Sequence, residues 1–330
     1  KHKINASTKD VNGNLHFYSA KKLTVNLHAT TEEENAVLDI TGKIVPETFG
    51  IYLNVKGRGL SASKWGDYIA GASEHRLTGG KISVDMNLAS KNIYSSPDAL
   101  EAIDITGKAF IDRCSFETPL LGHIIRNIEG KVRLTKDTIT IDKLSATYQN
   151  VKMSLSGGLA GLTKPKLRVF LTAKAVPLSL ILKEGYKKAD ELEAKGRISI
   201  NAGVSGIYDT PEVKAQVKSK YISIAGEEFR DVEAGFSYFQ NTLNFDIKNA
   251  LFSGGSIDGM GWINIEDTQT GMIELHGRNT DTGRLVRKFL PNQHIAAISD
   301  FDVRIIGTPD SPLVLGDSSI TGLSYQNKNI

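Results

Sequence analysis

Ile82-Ser83-Val84-Asp85-Met86-Asn87-Leu88 makes every second side chain apolar and the others polar. Successive side chains of an extended strand point to opposite faces, so this stretch has one oily face and one wet face. The same period of two recurs along the chain. Leu23, Val25 and Leu27 alternate with Thr24, Asn26 and His28, and Val132 and Leu134 with Lys131 and Arg133. Ile139 and Ile141 alternate with Thr138 and Thr140; Ile198 and Ile200, Leu243, Phe245 and Ile247, and Phe301, Val303 and Ile305 repeat the pattern. Strands buried on both faces read as continuous apolar runs, so alternation points to an antiparallel sheet wet on one side. About 20 such strands, joined by short turn signals such as Thr135-Lys136-Asp137 and Gln240-Asn241, predict an all-β chain of hairpins.

Three segments have helical spacing instead. They are Trp65, Tyr68, Ile69 and Ala72; Leu178, Ile181 and Leu182 after Pro177; and Leu285, Val286 and Phe289 after Asp281-Thr282. Their positions expose a degenerate repeat. Trp65 to Ile181 is 181 − 65 = 116 residues and Ile181 to Leu285 is 285 − 181 = 104. Lys9-Asp10-Val11-Asn12-Gly13 recurs as Arg126-Asn127-Ile128-Glu129-Gly130 and as Arg230-Asp231-Val232-Glu233-Ala234-Gly235, at offsets of 126 − 9 = 117 and 230 − 126 = 104. Strand starts at Ile82, Ile198 and Val303 keep the same spacing. The expectation is three serial units, 1–125, 126–229 and 230–330, forming one continuous elongated body in which each unit touches its neighbours. A parallel β-helix would repeat every ~20–30 residues. An immunoglobulin-like array would place a core Trp or Cys pair in each unit, whereas Trp65 and Trp262 fall at unrelated points of the repeat.

Composition narrows the chemistry. Of 330 residues, 40 are Lys or Arg and 37 Asp or Glu, a net charge of +3, so there is no basic field for nucleic acid. One cysteine, Cys114, excludes an internal disulfide framework and reads as a buried inert thiol. Seven histidines form no metal-ligand pair, and no apolar run approaches the roughly 20 residues of a membrane helix. The glycines from Gly254 to Gly261 lead into Trp262-Ile263-Asn264-Ile265, which continues as strand, so they are turn or bulge glycines and not a phosphate loop. Glu32-Glu33-Glu34 reads as a solvated turn, and Lys21, Lys22, Lys187 and Lys188 as surface charges. No catalytic or cofactor-binding constellation stands out, and the chain reads as non-enzymatic. The opening Lys1-His2-Lys3-Ile4-Asn5 is no signal peptide and lacks an initiating Met, so the chain reads as a piece of something larger.

The oily faces must still be hidden from water. Two sheets, or a sheet and helices, can close on a filled core; alternatively one sheet can curl about itself and leave a groove. Period-two patterning suits both, and the serial repeat favours the groove. Its candidate lining is Val25, Leu27, Val84, Met86, Val132, Ile141, Ile200, Phe245 and Ile305. Such a groove fits lipid: exposing two acyl chains of about 15 methylenes each costs roughly 24 kcal/mol at ~0.8 kcal/mol per CH₂. About 20 strands at ~4.8 Å spacing would provide a path of roughly 95 Å.

Gly206-Ile207-Tyr208-Asp209-Thr210-Pro211-Glu212-Val213, followed by Phe229-Arg230-Asp231-Val232-Glu233-Ala234, resembles the repeat phrase of TamB and the wider AsmA-like proteins. Gly254-Gly255-Ser256-Ile257-Asp258-Gly259-Met260-Gly261 is similar to the small-residue strand pair that follows it there, and Gly307-Thr308-Pro309-Asp310-Ser311-Pro312-Leu313-Val314 echoes the first phrase. The resemblance implies a β-taco: a long antiparallel sheet folded into a U with an apolar inner face. It implies a periplasmic part of a membrane-anchored envelope protein, carrying phospholipid acyl chains between the inner and outer membranes of diderm bacteria. The inner-membrane anchor is not evident in this piece. The resemblance also allows an alternative, a scaffold for outer-membrane protein assembly with a TamA-type barrel partner, whose sheet edge templates client strands. A third possibility, a carbohydrate-active β-solenoid enzyme, would need a cleft of clustered acids and aromatics.

Overall fold

In a computed structural model of the chain, residues 8–19, 22–31, 36–64, 75–92, 102–119, 121–161, 164–185, 193–265, 270–284, 295–308, 311–325 and 328–329 are described. The helical segments expected around Trp65 and Leu285, and the charges Glu32–Glu34, Lys21, Lys187 and Lys188, lie outside them. The chain is all-β with a few short helices, and about four-fifths of the described residues are strand. It divides into two units, 1–169 and 170–330.

The first unit runs β1 (Thr8–Ser19), β2 (Lys22–Thr31), β3 (Val37–Val45), β4 (Gly50–Ser61), β5 (Arg76–Ser90), β6 (Asp104–Glu117), β7 (Ile125–Thr135), β8 (Thr138–Tyr148) and β9 (Val151–Ala160). Each strand pairs antiparallel with the next, so the unit is an unclosed meander. The unit boundary falls inside β10 (Lys166–Pro177). In the second unit β10 leads into α1 (Leu178–Gly185), followed by β11 (Lys195–Ile207), β12 (Thr210–Ile224), β13 (Glu227–Phe239), β14 (Thr242–Phe252), β15 (Gly255–Asn264), β16 (Gly271–Asp281), β17 (Ile295–Thr308), β18 (Ser311–Tyr325) and the short β19 (Lys328–Asn329). From β11 onward every strand again pairs antiparallel with its successor.

Helical backbone starts at Ala62, Leu178 and Thr282, spaced 178 − 62 = 116 and 282 − 178 = 104 residues. The third start is capped by Asp281, whose Oδ1 accepts the Arg284 N–H at 3.1 Å. Spacing predicted that α1 would bury Leu178, Ile181 and Leu182. The structure instead buries Leu178 and Leu180 and leaves Ile181 exposed.

The recurring Arg/Lys–Asn/Asp phrase acquires a physical meaning here. Asn127 and Asp231 stand at φ 53° and 47°, in the left-handed region, where the registers of β7 with β8 and of β13 with β14 slip. Asn and Asp tolerate that region better than other non-glycine residues, and an extra residue there makes a β-bulge that bends the strand. Register slips also interrupt β4 with β5 at Gly57/Leu60 and β6 with β7 at Ile111/Cys114. In the second unit they interrupt β14 with β15 at Ile247/Ala250 and β16 with β17 at Gly277/Thr280. The slips divide these strands into two halves.

Buried side chains gather in one of these halves. In the first unit Ala62, Ile82 and Cys114 cluster, with Leu77, Val84, Ile111 and Ile128 against them. In the second, Ala250, Phe252 and Ile257 cluster with Phe229, Val232, Ile247 and Phe301, and the Phe229 and Phe252 rings stack at 5.0 Å. Hydroxyls complete this seal: Ser299 Oγ donates to Thr282 Oγ1 at 3.0 Å, and Ser253 Oγ donates to the Asp281 carbonyl at 3.1 Å. The largest fully buried side chains among the described residues are Thr280, Cys114 and Ser299, so no leucine, isoleucine or phenylalanine is enclosed that completely. The conventional core is thin.

Candidate functional site

Residues directly opposite in an antiparallel ladder project to the same face. Following the registers from β2 to β9 gives Leu27–Ile40–Val55–Met86–Gly107–Leu134–Ile139–Leu159, a row across eight strands with no polar side chain. Two residues along the strands runs a second row, Ala29–Leu38–Gly57–Val84–Ala109–Val132–Ile141–Gly157. Val25 belongs to a third, Val25–Gly42–Leu53–Leu88–Ile105. All six candidates in the first unit, Val25, Leu27, Val84, Met86, Val132 and Ile141, therefore lie on one face.

The second unit repeats the arrangement. Ile200–Val217–Ala234–Ile247–Gly259–Leu275–Val303–Gly316 crosses β11 to β18, and beside it runs Ala202–Ala215–Phe236–Phe245–Gly261–Ile273–Ile305–Val314. Ile200, Phe245 and Ile305 thus share a face within this unit. Seven inter-strand steps of ~4.8 Å give each row a length of about 34 Å.

Of the nine candidates only Val25 is buried, at 6% exposure; the other eight are half-buried. A filled core would take such side chains out of water. Here they form an apolar wall. Between β10 and β14 it hollows into an open dish of about 660 Å³ lined by Leu171, Ala202, Ala215, Phe236 and Phe245. Glycines within the rows let large neighbours lie flat. A Cβ at Gly261 would stand 2.6 Å from Cζ of Phe245, and one at Gly277 2.1 Å from Cε1 of Phe301.

The chain matches no family model, no curated protein and no solved structure. The site is argued from its geometry. The opposite face is largely charged and wet, with cross-strand pairs His28–Asp39 at 2.5 Å, Lys218–Glu233 at 3.0 Å, Arg304–Glu274 at 2.5 Å and His276–Asp302 at 2.6 Å. Asp302 also accepts from Arg278 at 3.0 Å; the His276 hydrogen bond first, then the Arg278 one, holds its carboxyl below the usual carboxylate range. Burial raises the thiol pKa of Cys114, which lies in a buried cluster that Val84 of the apolar rows also touches.

Sequence reading found the face but not its division. Leu134, Ile139, Phe236 and Ile273 complete the rows by ladder position, which needs the register and not only the period. The bulge line was signalled by the Asn/Asp phrase, whose meaning becomes apparent from the backbone angles.

Proposed function

We propose that this chain binds lipid acyl chains along the uncovered apolar half of its sheet and serves as a segment of a conduit for phospholipids. The observation that carries this reading is the eight-strand row from Leu27 to Leu159, half-exposed and free of polar side chains. An acyl chain laid across it would replace water over successive apolar positions, at ~0.8 kcal/mol per methylene covered. The grip is non-directional, so a chain can slide from row position to row position without breaking any specific bond. A sealed half and a wet outer face suit a body that works in water while keeping one surface oily.

The phrases resembling TamB and AsmA-like proteins, together with an unclosed antiparallel meander, support assigning the conduit to the periplasm of a diderm envelope. On that reading the phospholipids pass between inner and outer membranes. Assembly of outer-membrane proteins with a TamA-type barrel partner is the second reading, in which a sheet edge templates client strands. Native mass spectrometry of detergent-free protein tests the first. Co-purifying phospholipid is expected, and protein that stays lipid-free after incubation with phospholipid vesicles would sink it.

A further inference from the structure

Four cations from three strands of the second unit meet at one place. Lys174 of β10, Arg197 of β11, and Lys218 and Lys220 of β12 border an open depression of about 560 Å³, together with Ser199. Lys218 stands opposite Ser199 and Glu233 on the ladder, so it projects away from the apolar row through Ile200 and Val217. Two carboxylates share the depression, Asp231 and Glu233. Each is already engaged: Glu233 accepts from Lys218 at 3.0 Å and Asp231 from Lys220 at 2.8 Å. The balance of the depression is 4 − 2 = +2, and that surplus belongs to Lys174 and Arg197. Among the described residues neither has an acidic partner.

Arg197 is held in place by neutral oxygens. It lies inside the register slip between Gly196 and Ser199, where β11 and β12 lose step. Its backbone carbonyl accepts from Ser219 Oγ at 2.7 Å, and Ser219, 8% exposed, accepts the Tyr221 N–H at 3.2 Å. Its side chain donates through Nη1 to the Ala175 carbonyl at 2.8 Å. Ala175 stands at φ 55°, a left-handed conformation that costs a non-glycine residue free energy. A guanidinium pinned this way keeps its full charge and leaves the rest of its fork of N–H donors for a ligand.

We propose that this depression binds a phosphate group, with Arg197 and Lys174 supplying the unpaired charge and Lys218 and Lys220 completing the donors. A phosphate monoester carries about −1.5 to −2 charges at pH 7 and three strong acceptor oxygens. That matches the surplus and the donors arriving from three strands. A carboxylate brings one charge and two oxygens, and leaves half of the surplus unanswered. The arginine fork grips two phosphate oxygens, and the ammonium groups act on the group as point charges. Its source is a soluble phosphate compound or a lipid headgroup, which present the same chemistry here. The site stands on charge and geometry alone and does not depend on lipid in the apolar rows.

Inorganic phosphate is the first probe, titrated into the full chain by calorimetry at low salt. Saturable binding is expected, weakening as salt rises. Lys174→Ala/Arg197→Ala should weaken it by about tenfold or more, the scale of a lost charge-assisted hydrogen bond. Arg197→Lys, which keeps the charge and loses the fork, should fall between the parent and that pair. Lys174→Ala alone breaks no ion pair among the described residues, so folding should be intact by circular dichroism while binding falls about two- to fivefold. Lys56→Ala/Lys108→Ala removes the same charge from the outer face of the first unit and should leave binding unchanged. Absence of saturable binding, equal binding of acetate, a Lys174→Ala chain that binds like the parent, or an equal loss in the control pair would overturn the proposal. Phosphatidylcholine vesicles doped with phosphatidic acid separate the two sources. Flotation of the chain that Lys174→Ala/Arg197→Ala abolishes assigns the phosphate to a headgroup; phosphate binding without such flotation assigns it to a soluble compound.

Discussion

Val132 faces Ala109 on one side and Ile141 on the other, midway along the inner row of the first unit, and is half-buried. Replacing it with Asp sets the two possible fates of the apolar face against each other. On a filled core, the substitution strands an unpaired charge and costs about 3–5 kcal/mol, a large share of the ~5–15 kcal/mol that holds a domain folded. On an uncovered wall the carboxylate keeps its water, so the cost in urea unfolding should stay near 1 kcal/mol, that of an ordinary substitution. The loss appears instead in lipid binding. A hydrated carboxylate that holds about four methylenes off the row forfeits ~3 kcal/mol, on the order of a 200-fold weaker complex. Thr140→Asp is the matched control, because it adds the same charge beside Ile141 on the outer face, opposite Arg133. Native mass spectrometry with phosphatidylglycerol should show lipid lost in Val132→Asp and kept in Thr140→Asp. If Val132→Asp unfolds the protein, or folds and retains lipid like the parent, the reasoning fails.

Gly261→Val should destabilise by about 1–3 kcal/mol in urea titration, since its Cβ would meet both the Phe245 ring and the Met272 carbonyl at 2.4 Å. Gly235→Ala, where a Cβ meets nothing within 4 Å, should be neutral or slightly stabilising, and equal effects at both sites would contradict the packing described. NMR titration should find the Asp302 carboxyl below its ordinary value, moving back toward it in His276→Ala. Because the folded pKa is depressed, this group's stabilisation is present above the unfolded value near 3.8 and is lost as pH falls through the folded value; a carboxyl titrating above 3.8 would remove the basis for that sign. For Cys114 the shift is upward, so its contribution is complete below the unfolded value near 9.0 and declines as pH rises through the folded one. Its thiol should react with a disulfide reagent at pH 8 only as fast as the sealed half opens, and labelling at the rate of a free thiol would show the seal to be absent.

Alternation made the strands legible from the sequence because period two is a local property: Ser83, Asp85 and Asn87 declare their face without reference to any neighbour. The helical starts were legible for the same reason. What alternation could not supply is register. Val132 and Met86 read as equivalent apolar positions, yet they occupy different rows, and which row a residue joins depends on hairpin lengths and bulges summed over many strands. Nor does a glycine announce its task. Gly261 makes room for Phe245 sixteen residues earlier, while Gly235, two strands away, faces open space.

The bulge line explains how a sheet can keep one face uncovered and still be folded. A meander whose inner face were entirely bare would have only hydrogen bonds and the lateral contacts of side chains to set against the chain entropy of ordering it, and those are modest per residue. Asn127, Asp231 and their neighbouring slips bend the strands so that one half gathers the buried clusters, around Ile82 and Cys114 in the first unit and around Phe252 and Ile257 in the second. That half supplies cooperativity. The other half is thereby released from the need to form a core and can leave Val132, Ile200 and Phe245 half-exposed. Within each unit stability and binding thus divide at the register slips, where Val84 and Ile247 of the apolar rows also pack against the buried clusters, and a residue that permits a slip is the Asn or Asp of the repeat phrase. Converting Asp231 to a β-branched residue, which resists φ near 47°, should therefore weaken folding more than it alters any apolar row.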